Sequence, residues 1–216
     1  MNTVKHSPHI VGIGGTTNPG SQTEQALVIA LQAAERHGAS IKMFGSETLA
    51  SLPHYLTPQS KISGSGAELV ESVRKADGVI LASPGYHGSI SGLVKNALDY
   101  FEEMAKDKRV YLDGVPVGLI VTAYGWQATG STMAALRSIV HALRGWPTPL
   151  GVALNVSGRL FEAGQCKDAA ASAQLEIVGK QVAEFASRAS VVRAIPEFSS
   201  DVPWWLASDS SSITSL

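Results

Sequence analysis

Residues 77–104 read DGVILASPGYHGSISGLVKNALDYFEEM, and the order of patterns within them decides the architecture. The first seven, 77–83, form a short apolar run bounded by polar residues. That is the length and composition of a strand buried on both faces. Residues 84–89 hold a proline and two glycines and read as a turn-rich loop. Residues 90–104 return to helical spacing, with Leu93, Val94, Ala97, Leu98 and Phe101 on one broad face. A buried strand leading through a loop into an amphipathic helix is half of a βαβ unit.

The same pattern recurs on both sides of this stretch. Apolar runs at 9–15, 40–44, 115–122 and 149–154 predict four more strands. Helical spacing predicts helices over 23–37, 67–76, 131–143 and 168–188. In the first of these, Ala26, Ile29, Ala30, Ala33 and Ala34 share a face, and Gly38 is a good stop. Residues 45–65 read as a long loop, and 123–130 as a loop of small residues. Five strands alternating with helices imply an α/β fold: a three-layer, doubly wound, five-stranded parallel sheet, for which 2-1-3-4-5 is a standard strand order. Residues 1–190 then make one domain. Residues 191–216 change character, with two prolines, the pair Trp204 and Trp205, and a serine-rich end. They read as an extended tail, with the tryptophans packed on the core or on a partner subunit, because two adjacent indoles are costly to leave in water.

Composition narrows the function. A formal net charge of −1 offers no electrostatic footprint for nucleic acid. The single cysteine, Cys166, rules out an intramolecular disulfide and a cysteine-based zinc site. Six scattered histidines with no carboxylate cluster give no reason to expect a metal. No Gly-x-Ser-x-Gly elbow is present, which argues against a serine hydrolase. The start of the chain lacks the apolar core of a signal peptide, and no stretch is apolar enough to span a bilayer, so a cytoplasmic protein without membrane contacts is expected.

In a doubly wound sheet ligands bind beyond the carboxyl ends of the strands, where the strand order reverses. Three loops meet there. The first, residues 14–23 (GGTTNPGSQT), opens a helix. Its glycines, the hydroxyls of Thr16, Ser21 and Thr23, and the unpaired N–H groups of the helix start suit a phosphate. A plain helix cap by Ser21 or Thr23 is the alternative. It is neither a Walker A loop nor a G-x-G-x-x-G fingerprint. The second loop runs from Ser83 to Ser89, and the third spans 122–130 (TAYGWQATG), where glycine lets backbone approach a flat ligand closely.

The stretch from Pro84 to Tyr100, PGYHGSISGLVKNALDY, resembles the NAD(P)H-dependent FMN reductase family, whose pattern after the third strand is P-x-Y-N/H-x-S-x-P/S-G-x-x-K-N-A-x-D-W/Y. The loop from Gly15 to Thr23 is similar to that family's G-S-x-R-x-x-S-x-N phosphate loop. Roughly residues 9–188 share the resemblance. Three positions depart from it: Asn18 stands where the family has arginine, Thr23 where it has asparagine, and Gly85 where it often has glutamate.

The resemblance implies a flavodoxin-like fold and a flavin site. Thr16, Asn18, Ser21, Gln22 and Thr23 would hold the FMN phosphate. Pro84, Gly85, Tyr86, His87, Gly88 and Ser89 would run along the isoalloxazine edge, with Ala123, Tyr124 and Gly125 on the other side of the ring. It further implies hydride transfer from NADPH or NADH to the flavin, then to free FMN or a small acceptor such as a quinone. Flavin-borne chemistry requires no catalytic side chain; His87 is the one candidate proton donor to an acceptor. Loss of the arginine favours FMN as an exchangeable substrate, with a flavin-dependent monooxygenase as the taker of reduced FMN. The family commonly pairs through the 90–104 helix, so a homodimer or homotetramer is expected. The competing class is a flavodoxin-like electron carrier without its own nicotinamide site. Such carriers tend to be strongly acidic, unlike this chain.

Overall fold

The structure is a computed structural model that describes residues 7–56, 64–162 and 164–193. Five strands lie parallel in one sheet: β1 (His9–Gly14), β2 (Ser40–Phe44), β3 (Gly78–Tyr86), β5 (Pro116–Ala123) and β6 (Trp146–Asn155). Their order is β2-β1-β3-β5-β6, the doubly wound order with its reversal between β1 and β3. The sheet has a sixth strand, which corrects the expected count of five. β4 (Ser89–Ile90) folds back antiparallel on β3, pairing Gly85 with Ile90 and Tyr86 with Ser89. The expected loop at 84–89 is therefore a hairpin. His87 and Gly88 form its turn with φ of 51° and 85°. Positive φ at both central residues is the geometry whose twist matches paired strands.

Side chains alternate across the sheet. On β3, Val79 and Leu81 enter one core layer, which α3 (Ser65–Lys75), α4 (Gly92–Asp99) and α5 (Trp126–Ala142) cover. Ile80 and Ala82 enter the opposite layer, beneath α1 (Gln22–Arg36) and α6 (Ala169–Arg193). The apolar stripe expected on α1 is buried at Ala26, Ile29, Ala30, Ala33 and Ala34. Burying a Leu or Ile side chain fully is worth roughly 1.5–3 kcal/mol against exposure, and Leu27, Leu31, Leu175, Ile10, Ile13, Leu69, Ile80 and Leu81 are all sealed from water.

Other boundaries also differ from the sequence reading. The expected loop at 45–65 contains a one-and-a-half-turn helix, α2 (Ser46–Ser51). α5 begins at Trp126, five residues earlier than expected, so most of the small-residue loop is helix. α6 runs to Arg193, past the expected end at Arg188. A small hairpin, β7 (Phe161–Glu162) with β8 (Gln165–Cys166), joins β6 to α6. The 90–104 helix is also divided: α4 ends at Asp99 and a 3-10 turn, Tyr100–Met104, follows. Tightening from 3.6 to 3.0 residues per turn rotates the later side chains, and Tyr100, Phe101 and Met104 are buried alongside Val94, Ala97 and Leu98. The chain's own core thus takes up Val94, Ala97, Leu98, Phe101 and Met104, while Leu93 is only partly buried. The tail and its Trp204 and Trp205 lie outside the described residues.

Candidate functional site

The carboxyl ends of β1, β3 and β5 open on one cleft of about 260 Å³. The loop after β1 lines it with Thr16, Asn18, Ser21, Gln22 and Thr23, the end of β3 with Pro84, Gly85 and Tyr86, and the end of β5 with Thr122, Ala123 and Tyr124; Val156, just past β6, closes it. His87, Gly88, Ser89 and Gly125 do not line it. His87 sits exposed in the hairpin turn, which takes the candidate proton donor out of the cleft wall. Sequence reasoning put Thr122 at the start of the third loop without assigning it to the ligand, and missed Val156. Thr122 had a signal, as a polar residue closing the apolar run VPVGLIVT; Val156 had none.

The first loop is cross-braced. Ser21 caps α1, its Oγ accepting the Glu24 N–H at 3.3 Å. Thr16 Oγ1 accepts the Asn18 N–H at 3.0 Å and donates to the Asn18 carbonyl at 3.3 Å. Thr23, read as a phosphate donor, is buried, and its Oγ1 lies 2.6 Å from Thr122 Oγ1, tying α1 to β5. The Gln22 amide oxygen accepts the Leu160 N–H at 2.8 Å. Ser21 Oγ accepts a bond and keeps its own hydrogen free among the described residues, Thr16 both accepts and donates, and either partner of the Thr23–Thr122 pair can be the donor. The N–H groups of Gln22 and Thr23, first in α1, are those a helix leaves without intrahelical partners.

The second wall is held from behind. Ser83 Oγ donates to the Pro84 carbonyl at 2.9 Å and accepts the Ser91 N–H at 3.1 Å. Thr132 Oγ1 on α5 donates to the Ser89 carbonyl at 3.3 Å. The fit at Gly85 is close: a Cβ there would stand 2.6 Å from Thr132 Oγ1, so the Thr132 side chain would have to shift. The rest of the long motif points away from the cleft. Asn96 Oδ1 accepts the Tyr55 N–H at 2.9 Å, its Nδ2 donates to the Pro53 carbonyl at 3.0 Å, and Tyr100 OH donates to the same carbonyl at 2.9 Å. Lys95 pairs with Asp99 one helical turn on. These residues anchor the 53–55 segment.

Among the described residues the cleft lining carries no carboxylate, imidazole, cation or thiol, and its titratable groups are the phenols of Tyr86 and Tyr124. Displaced titrations lie elsewhere: burial and the bond to Glu103 push Tyr55 up to about 12, and burial raises Tyr100. Among the described residues no group of histidine, cysteine and carboxylate side chains is placed to hold a metal. Such a lining suits a ligand that brings its own chemistry. A helix start and the Ser21 hydroxyl fit a phosphate; the backbone of Pro84–Tyr86 and Ala123–Tyr124 fits the rim of a flat ring.

Fold and cleft define a doubly wound α/β protein with a ligand site at its strand reversal. The chain belongs to the NADPH-dependent FMN reductase family, whose model matches residues 8–158. An FMN-dependent NADPH-azoreductase of Staphylococcus aureus is 38% identical over 90 residues, 42% of this chain and 44% of the relative. Its counterpart in Staphylococcus haemolyticus is 38% identical over 87 residues, 40% of this chain and 43% of that one. The matches therefore span less than half the length of these relatives. Among solved structures, the flavoenzyme NAD(P)H:acceptor oxidoreductase of Paracoccus denitrificans superposes with a TM-score of 0.67 at 17% identity, covering 84% of this chain and 98% of that one. An NADH:FMN oxidoreductase in its apo form gives 0.61 at 19% identity, covering 83% and 89%. At that identity the likeness speaks for the fold.

Proposed function

We propose that this protein is an NAD(P)H-dependent oxidoreductase that takes FMN into the cleft at the ends of β1, β3 and β5 and passes electrons to a small acceptor. The observation that carries the reading is the lining itself: a helix start, hydroxyls and backbone edges in a family of FMN reductases, with no acid, imidazole or metal ligand among the described residues that line the cleft. FMN held in this cleft would supply the redox chemistry, the exchange of a hydride or electrons between a nicotinamide and an acceptor.

The chain's own work is binding and orientation. Ser21 and the first N–H groups of α1 receive the phosphate dianion, helped by the positive end of the helix dipole. The Thr23–Thr122 bond holds that helix start against the end of β5. Backbone at Gly85 and Tyr86 and at Ala123 and Tyr124 meets the ring's polar edges. Tyr86, Tyr124 and the nearby Trp126 are 49%, 78% and 68% exposed. They offer aromatic surface at the cleft mouth to a planar acceptor such as a quinone or azo compound. With no cation in the lining, FMN binds weakly enough to exchange. Reduced FMN is then itself a product, available to a flavin-dependent monooxygenase.

No helix among the described residues is long and apolar enough to cross a membrane. A cytoplasmic homodimer or homotetramer completes the reading, and sedimentation of the purified chain tests the assembly. The deciding experiment mixes purified protein with FMN and NADPH, following flavin fluorescence and the nicotinamide absorbance at ~340 nm. Steady NADPH loss with a quinone or excess FMN supports the enzyme. FMN binding without NADPH loss leaves an electron carrier, and no FMN binding removes the cofactor from the reading.

A further inference from the structure

Ser21 followed three residues later by Glu24 is a capping-box pattern, in which the glutamate ordinarily reaches back to the N–H of the cap residue. Here it does not. Ser21 N–H donates to the Asn18 carbonyl at 3.2 Å. The Glu24 carboxylate passes beyond the cap: Oε2 accepts the Gly20 N–H at 2.6 Å, and Oε1 accepts the Ser46 N–H at 2.8 Å. Ser46, fully buried at the start of α2, returns the connection, its Oγ accepting the Thr16 N–H at 3.3 Å. The fit is tight on both flanks. A Cβ at Gly45 would stand 2.2 Å from Glu24 Oε1, and one at Gly15 would stand 2.5 Å from Ser46 Oγ.

We infer that Glu24, through Ser46, is a positioning residue that sets the phosphate-binding loop of the proposed FMN site, in place of the cation the loop lacks. The inference rests on the FMN reading for its ligand but not for its geometry. The carboxylate holds the Gly20 end of the stretch directly and the Thr16 end through Ser46, whose N–H it accepts and whose Oγ accepts the Thr16 N–H. The helix start and the Ser21 hydroxyl are thereby aimed before any ligand arrives, and donors fixed in advance bind without an ordering cost. Charge-assisted hydrogen bonds are roughly twice as strong as neutral ones, so a carboxylate braces the loop better than an amide. The same negative charge repels a phosphate dianion. Brace and repulsion therefore predict opposite signs when the charge is removed.

The test compares full-length wild type, Glu24→Gln and Ser46→Ala in binding FMN and riboflavin, which lacks the phosphate, with amide exchange read on the ligand-free proteins. An amide at 24 offers one acceptor and sets an NH2 against the other donor. Glu24→Gln is expected to weaken FMN about tenfold while riboflavin affinity changes less than about twofold. Exchange at the Gly20 and Ser46 amides is expected to quicken. Ser46→Ala should act in the same direction but less, and it serves if Glu24→Gln fails to fold. Unchanged or tighter FMN binding in Glu24→Gln overturns the inference, as does an equal loss for both flavins, the mark of general loosening. If the wild type binds no FMN, the functional reading fails, and amide exchange alone decides the brace: unaltered protection at Gly20 and Ser46 overturns it.

Discussion

The loop after β1 and the loop after β5 face one cleft and are built on opposite plans. The first is bonded to itself and to its surroundings at Thr16, Asn18, Gly20, Ser21 and Gln22, and Thr23 just beyond it is bonded to β5. The second is two residues long. Gly125 caps α5 with no side-chain bond, and Tyr124 and Trp126 stand out in solvent. On the proposed reading, the difference follows the two parts of a reductase's task. A phosphate is the same in every turnover and repays a rigid, prepaid set of donors. Acceptors vary, and an exposed aromatic edge tolerates variety because it asks only for a flat apolar face.

The largest effect should come from filling the braced loop. Gly15 has φ of +142°, and a Cβ there would meet Ser46 Oγ at 2.5 Å and Ser46 N at 3.0 Å. Gly15→Ala combines backbone strain with overpacking and is expected to cost roughly 2–4 kcal/mol in denaturant unfolding. A loss under about 0.5 kcal/mol would mean that the loop is less rigid than its bonds suggest.

Thr23→Val comes next. It leaves the buried Thr122 hydroxyl unpaired, at about 1–3 kcal/mol. The double variant Thr23→Val with Thr122→Val should recover most of that loss, since neither hydroxyl is then stranded. Additive losses in the double-mutant cycle would show that the two hydroxyls do not depend on each other.

On the open side the sign of the contrast reverses. Tyr124→Ala and Trp126→Ala are expected to leave stability within about 0.5 kcal/mol. They should raise KM for an aromatic acceptor roughly threefold to tenfold with FMN affinity unmoved. Steady-state kinetics with a quinone and a non-aromatic acceptor would separate this from a general defect.

The smallest effect lies behind the hairpin and outside both loops. Tyr55 titrates at about 12, against 10 for a free phenol, through burial and its bond to Glu103. A phenol whose folded pKa is raised stabilises the fold fully below pH ~10 and loses that contribution as pH rises toward about 12. Alkaline unfolding of Tyr55→Phe should therefore depend less on pH in that window than unfolding of the wild type. Identical profiles would contradict the assignment.

Local signals were strongest where an element's pattern and its burial agree. Residues 40–44 were read as the strand that forms there, and the stripe on α1 is the one that is buried. They failed where the local sequence was neutral. α2 has six residues, below the reach of a 3.6-residue period. α5 starts at Trp126 with no polar cap to mark its beginning. Gly130, read as a loop residue, lies in a helix where an added Cβ would meet nothing, and an isolated glycine there costs only about 1 kcal/mol. The motif from Pro84 to Tyr100 was legible as a whole, but not its division of labour. Pro84, Gly85 and Tyr86 line the cleft, whereas Asn96 and Tyr100 hold the segment at Pro53.

The sequence by itself determined that strands and helices alternate, which faces are apolar and which loops carry hydroxyls and glycines. Those properties are set by residues within one or two turns of each other. Only the tertiary structure decided which residues of those loops bond to one another and to the rest of the chain. Thr23 with Thr122, Gln22 with Leu160 and Glu24 with Ser46 are separated by 99, 138 and 22 residues. Their pairing depends on strand order and register, which arise from burying the whole sheet at once. The same long-range bonds engage hydroxyl and amide groups that read, one residue at a time, as free for a ligand.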